Sequence, residues 1–279
     1  MSVRPWRRRV LAAVLACCVG APAPAAAWGL DTHRWIALRA ARLTRCSALV
    51  DGHESDLAAA ALEPDTVLKA ELGPSEEVHH FLDLDAYGAP PFRALPRNEE
   101  AAVARYGRAV VNRNGVLPWY GGRLARALAE EIERGEWKVA RRTAGHLAHY
   151  AGDATMPLHA TANYDGQKTS QLGLHRRVEA RLVDDYLASF IRDALRVDRG
   201  RPIAPGRATA ALFAALEGSY AEVAPLLAAD RAARRGTRVD SALYYRRLDV
   251  YLHGPLATRI GAAAALTAAL WDGACGLRR

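Results

Sequence analysis

The sequence predicts an all-α protein with a single multi-helix domain over residues 28–279, and three observations carry that prediction. Long segments are rich in Ala, Leu, Arg and Glu, which are strong helix formers. Apolar residues recur at helical spacing, and no alternating run bounded by turn residues suggests a sheet. Gly, Pro and Asn punctuate the gaps, with no internal repeat, low-complexity linker or composition shift marking a second domain. With 279 residues, 51% of them hydrophobic and 24% charged, the chain can bury a sizeable core and lacks a disordered composition.

Residues 1–27 read as an address and not as part of the fold. Arg4, Arg7, Arg8 and Arg9 make a basic start, residues 10–20 are apolar, and residues 21–27 end in small side chains. That is the pattern of a secretory signal peptide cleaved after Ala27, which puts the mature protein in the periplasm or outside the cell. An alternative takes Val14-Leu15-Ala16-Cys17 as a lipoprotein box that leaves a lipidated Cys17. No apolar run reaches the roughly 20 residues of a transmembrane helix. The formal charge of +8 is partly the leader's: without its four arginines, 34 basic residues face 30 acidic ones. So mild a balance points to neither a DNA-binding surface nor a polybasic membrane patch.

Helices are expected over 32–44, 99–111, 122–149, 176–197, 209–228 and 240–270, with breaks at 87–98, 112–118, 161–173 and 198–206. Beyond the leader only Cys46 and Cys275 remain. An exported protein can oxidise them, but the sequence leaves open whether they meet. Two cysteines so far apart are no thiolate zinc site.

The chemistry concentrates between residues 149 and 179. His149 and Asp153 stand four apart, so on a helix they share one face, at a spacing that lets imidazole and carboxylate share a metal ion. Pro157 is expected to end that helix, with His159 on the turn after it. His175 and Glu179 repeat the four-residue spacing on the next helix. Taken singly, such a pair is usually a surface contact worth about 0.2–0.5 kcal/mol, and His146 on the same stripe reads equally as a core histidine. Together, so many imidazoles and carboxylates on Ala-rich helices are costly to bury unless ions pair them.

Further candidates lie upstream. Trp28 at the expected mature N-terminus is followed five residues on by His33, and a free α-amine can lose its proton to a metal ion. His79 and His80 precede Phe81, Asp83 and Asp85, while Asp65 follows Pro64. The plainer readings are a helix N-cap for Asp65 and an ordinary turn for the two histidines. Spacing and the following Phe81 favour His80 over His79.

Trp28, the series His149/Asp153/His159 and the pair His175/Glu179 resemble the pattern of the zinc-dependent phospholipase C and single-strand-specific zinc nuclease superfamily (the S1/P1 type). The resemblance runs from Trp28 to about Asp185 and implies an all-α zinc hydrolase with three Zn2+ ions. By position, it implies that Asp65, His80, His149 and Asp153 hold the first ion. His159, His175 and Glu179 hold the second. The amine and carbonyl of Trp28 hold the third with His33, and Asp153 bridges it to the first. Asp65 and Asp153 are the candidate catalytic residues, with zinc-activated water as nucleophile and the metal ions absorbing charge in the transition state.

The implied substrate is a phospholipid or a single-stranded nucleic acid. Thr32 to Ile36, the residues from His80 to Asp85, and Glu179 resemble the phospholipase branch, which is the first expectation. The five-residue step from Trp28 to His33 and the pair Phe81/Asp83 also resemble the nuclease branch, where such a pair holds a base. Thr66 stands where a choline-selective enzyme has an aromatic contact, so choline selectivity is not expected. A non-catalytic zinc-binding relative is the third reading. No partner protein is implied.

Overall fold

The computed structural model describes residues 28–277; the expected leader, with its cleavage point and Cys17, lies outside the described residues. Among the described residues there is no strand. The α-helices in chain order are α1 (Leu30–Leu43), α2 (Ser47–Val50), α3 (Glu54–Ala60), α4 (Lys69–Leu72), α5 (Pro74–Glu77), α6 (Glu99–Tyr106) and α7 (Arg108–Arg113). There follow α8 (Leu117–Glu133), α9 (Trp137–Ala154), α10 (Leu174–Arg176), α11 (Leu187–Ala194), α12 (Ala208–Ala221), α13 (Val223–Arg234) and α14 (Ala242–Ala274).

Four of the six expected helices are divided, each for a local reason. The stretch 122–149 belongs to two helices, α8 and α9, which fold back on each other across Gly135 at φ 72°. The stretch 99–111 breaks at Gly107 (φ 83°) between α6 and α7. In 209–228, Pro225 lacks an amide hydrogen and its ring opposes the carbonyl four residues back, Ala221, where α12 ends. In 176–197, a π-helical turn over Arg177–Asp184 stands between α10 and α11. The short helices α2 to α5 were not expected; each is too brief to show a period in the sequence. The longest, α14, is one helix as expected and starts on an N-cap in which Ser241 Oγ accepts from the Tyr244 amide.

Helix α9 is the centre of the molecule. It packs against α8, α3, α14, α1 and α12, and every residue from Leu147 to Ala154 is buried. One apolar core runs along α1, α3, α8, α9 and α12, around Leu49, Leu57, Leu147, Phe213 and Trp271. A second lies between α11, α13 and α14 around Trp28, Leu158, Val178, Phe190 and Ile260. The end of α9 that bears His149 and Asp153 meets both. One stretch, Pro205–Arg234, has the length and hydropathy of a membrane span, but it is divided between α12 and α13. Its first half packs on α8 and on the turn Pro157–Ala160, so no clear transmembrane segment is present among the described residues.

Cys46 and Cys275 form a disulfide across 229 positions, tying the start of α2 to the end of α14. In the chain-entropy model a loop of that length restrains the unfolded chain by up to about 5 kcal/mol. Cys46→Ser is therefore expected to lower unfolding stability by roughly 2–5 kcal/mol, read from denaturant titrations. A variant as stable as the parent would show that the bridge is silent.

Candidate metal centre

Each candidate ligand is delivered by a different local device. Helix α9 supplies His149 and Asp153 from its buried final turns. Two small residues on that helix let the neighbours come close. A Cβ on Gly145 would meet Ala60 Cβ of α3 at 2.4 Å, and one on Gly152 would meet the His33 ring at 3.0 Å. His33 thus reaches the α9 carboxylate from α1, its ring stacked on His149 at 3.9 Å between centroids. The helix ends at Ala154, ahead of Pro157, which instead opens the 3-10 turn Pro157–Ala160 that carries His159.

Both remaining carboxylates come from π-helical turns, Asp65 from Pro64–Leu68 and Glu179 from Arg177–Asp184. Such widened turns are rare and recur at functional sites. Asp65 is not the N-cap of its turn; it faces His80 and His149.

The side chains converge into three groups, each with its ligand atoms within 4.8 Å of one another: His33/Asp65/His149 and His80/His149/Asp153, which share His149, and His159/His175/Glu179. Asp153 divides its oxygens between neighbours. Oδ2 lies 3.0 Å from His80 Nδ1 and 3.4 Å from His149 Nε2. Oδ1 lies 3.3 Å from His33 Nε2 and 3.8 Å from His159 Nδ1. Asp65 joins the first group to the second, 3.9 Å from His149 and 3.8 Å from His80. In the third group, Glu179 Oε1 stands 2.8 Å from His175 Nε2 and 3.4 Å from His159 Nε2.

Backbone carbonyls set the direction of two imidazoles. His149 Nδ1 donates to Ala61 O at 2.8 Å, and His159 Nδ1 donates to His80 O at 2.7 Å. A carbonyl only accepts, so in each ring Nε2 is left with a lone pair facing the centre, the arrangement metal-binding histidines use. The lone pair of His159 then confronts His175 Nε2 at 3.1 Å, a contact that needs a proton or a cation between.

The electrostatics agree. Burial, with the His149 ring beside it, pushes His33 down to about 4, and burial pushes His175 down to about 4, so both are neutral donors at pH 7. Burial opposes the charge on Asp153, but His149, His33 and His80 hold its carboxyl well below the usual range. His80 is the converse case. Burial would lower it, yet hydrogen bonding to Asp153 and Glu76 raises it to about 9. Burial lifts Glu179 to about 8, with Asp153 and Asp65 adding repulsion.

Whether a cation fits can be asked of the buried polar atoms. Eight of the twelve buried side-chain nitrogens and oxygens without a hydrogen-bond partner among the described residues belong to His33, Asp65, His80, Asp153, His175 and Glu179. An unsatisfied buried polar group costs about 1–3 kcal/mol, so eight in one place are tolerable only if something else satisfies them. Divalent cations would satisfy those that face the centre, among them His33 Nε2, Asp65 Oδ2, Asp153 Oδ1 and Glu179 Oε1. These buried His, Asp and Glu clusters can hold metal ions.

Trp28 is fully buried beside the centre, its indole Nε1 donating to Gly152 O at 3.0 Å, one residue before Asp153. Phe81 and Asp83 are half-buried and outside the three groups. They run alongside the His159 turn, where the Leu82 amide donates to His159 O at 2.9 Å. His79 turns away from the centre towards Glu76, and His146 pairs with Glu63. Two residues escaped the sequence reading. Lys69 Nζ donates to Asp65 Oδ1 at 3.0 Å, and fully buried Glu76 faces His80. Each stands four residues from its partner, the spacing that singled out the other pairs.

No protein-family model matches this chain, and no curated protein matches it either.

Proposed function

We propose that the chain is an exported zinc-dependent phosphodiester hydrolase that binds three zinc ions and is of phospholipase C type, within the superfamily its motifs resemble. The observation that supports this most is the carboxylate of Asp153, fully buried, with its two oxygens turned to different sets of imidazoles. A donor set of nitrogen and oxygen without thiolate suits hydrolytic zinc. Bound zinc supplies Lewis acidity and brings the pKa of a water nucleophile towards neutrality.

The chain's own residues do the positioning. With zinc bound, Asp153 would help to hold the ions, Asp65 would orient the attacking water and take its proton, and Lys69, which donates to Asp65, would balance the phosphate charge. Trp28, its indole anchored on α9, would with His33 hold the third ion through its amine and carbonyl once the leader is removed. The experiment is headgroup release from phospholipid vesicles run beside nucleotide release from single-stranded DNA. Release from vesicles that a chelator abolishes is the expected result. Release from DNA alone would replace the lipid reading, and three bound zincs with neither activity would leave a non-catalytic zinc protein.

The nuclease reading has its own support. Phe81 offers a partly exposed ring, and burial together with Asp85 raises the Asp83 carboxyl to about 7. Near neutrality such a group can donate to or accept from a base edge.

Zinc uptake is expected to be proton-coupled. With no cation, His80 at about 9 and Glu179 at about 8 both carry protons at pH 7 and must lose them to become ligands. The Trp28 α-amine, ordinarily at about 7.7–8.0, must lose one too, so about three protons per chain should be released at pH 7. Apparent affinity should rise with pH and level off above about 9. Calorimetric zinc titrations in buffers of different ionisation enthalpy read this directly; uptake with no proton release would contradict it.

A further inference from the structure

We infer that Glu76 is the positioning residue of the metal centre: its carboxylate receives the Nε2 hydrogen of His80 and thereby aims the Nδ1 lone pair at the cation. The inference rests on the proposed reading of His80 as a ligand.

The His80 ring has two working edges. Its Nδ1 lies 3.0 Å from Asp153 Oδ2 and 3.1 Å from His149 Nε2, so this edge faces the centre. Its Nε2 stands 3.4 Å from Glu76 Oε1, close but without the geometry of a hydrogen bond in this arrangement, and has no hydrogen-bond partner elsewhere among the described residues. A neutral imidazole offers one lone pair and one N–H; with a cation against Nδ1, the hydrogen is left to Nε2, on the side of Glu76. His149 and His159 are oriented by carbonyls, whereas His80 has only this carboxylate.

Glu76 is itself held firmly. The Tyr150 hydroxyl donates to Oε1, and His79 Nδ1 contacts Oε2 at 3.1 Å. The His79 ring lies flat on Tyr120, 3.7 Å between centroids and 3° from parallel, and Tyr120 meets Tyr150 edge-on. Three elements, α5, α8 and α9, thus converge on one fully buried carboxylate. No Lys or Arg pairs with it among the described residues; its only ion-pair partners are His79 and His80. A buried acid without a permanent cation adds little to stability, so its place here is explained by what it does to His80.

The test combines spectroscopy with metal affinity. In 15N-labelled, zinc-loaded protein, long-range 1H–15N spectra should show His80 bound to zinc through Nδ1 and protonated at Nε2. The opposite assignment would overturn the inference. Glu76→Leu should weaken zinc binding roughly 10- to 100-fold, the range for losing such a partner. Glu76→Gln, which keeps an acceptor oxygen, should restore the His80 tautomer and most of the affinity. A Leu variant that binds zinc as tightly as the parent would remove the role of Glu76 alone. A parent protein that binds no zinc would remove the metal reading itself. If the Leu variant does not fold, the parent spectrum and the Gln variant still decide.

Discussion

Asp153→Asn is expected to lower turnover of the zinc-loaded protein by on the order of 10³-fold or more and to cost the chain at least one zinc ion. The physical reason is the division of labour between its oxygens. Oδ2 faces His80 and His149, and Oδ1 faces His33. An amide keeps the shape but replaces one oxygen with an NH2 that cannot ligate, and it removes the negative charge that offsets two cations. Whichever way the amide turns, one group loses its share. His149→Ala is expected to act as severely, since its Nε2 belongs to two of the three groups. Steady-state rates with zinc counting by native mass spectrometry check both. Full activity with full zinc in either variant would show that these residues are not the centre.

Chelation of zinc should cost the fold almost as dearly as it costs activity. A cation present at a thousand times its Kd contributes about 4 kcal/mol per site. For a domain of this size each kcal/mol corresponds to about 2–4 °C in Tm. Stripping the cations should then lower Tm by roughly 10 °C or more, and zinc added back should restore it. The empty centre is left with buried imidazoles and carboxylates, eight of whose atoms have no partner. Thermal unfolding with and without chelator measures this. An unchanged Tm would mean that the cluster is satisfied without metal.

Much of this architecture was legible in the sequence, and what was not has physical causes. The helical segments announce themselves through composition and period. Their interruptions depend on single residues: Gly135 and Pro225 divide helices whose flanking sequence is uniformly helix-forming. The π turns under Asp65 and Glu179 leave no mark, because the residues that widen a turn are those that would continue an ordinary one.

The eight side chains singled out by four-residue spacing and by resemblance, His33, Asp65, His80, His149, Asp153, His159, His175 and Glu179, are the ones the fold gathers. Glu76 went unread although Glu76 and His80 have the spacing of His175 and Glu179 in reverse order. Its role depends on Tyr150 and Tyr120 from distant helices, which no local pattern reveals. The partnership of Cys46 with Cys275 is likewise a property of the assembled chain.

Anomalous diffraction at the zinc edge, from crystals of the protein beginning at Trp28 and grown with zinc, would locate the cations outright. Three peaks are expected. One lies among Asp65, His80, His149 and Asp153, one among His159, His175 and Glu179, and one at His33 beside Asp153 and the Trp28 amine. A zinc-replete crystal with no peak among these side chains would contradict the zinc reading.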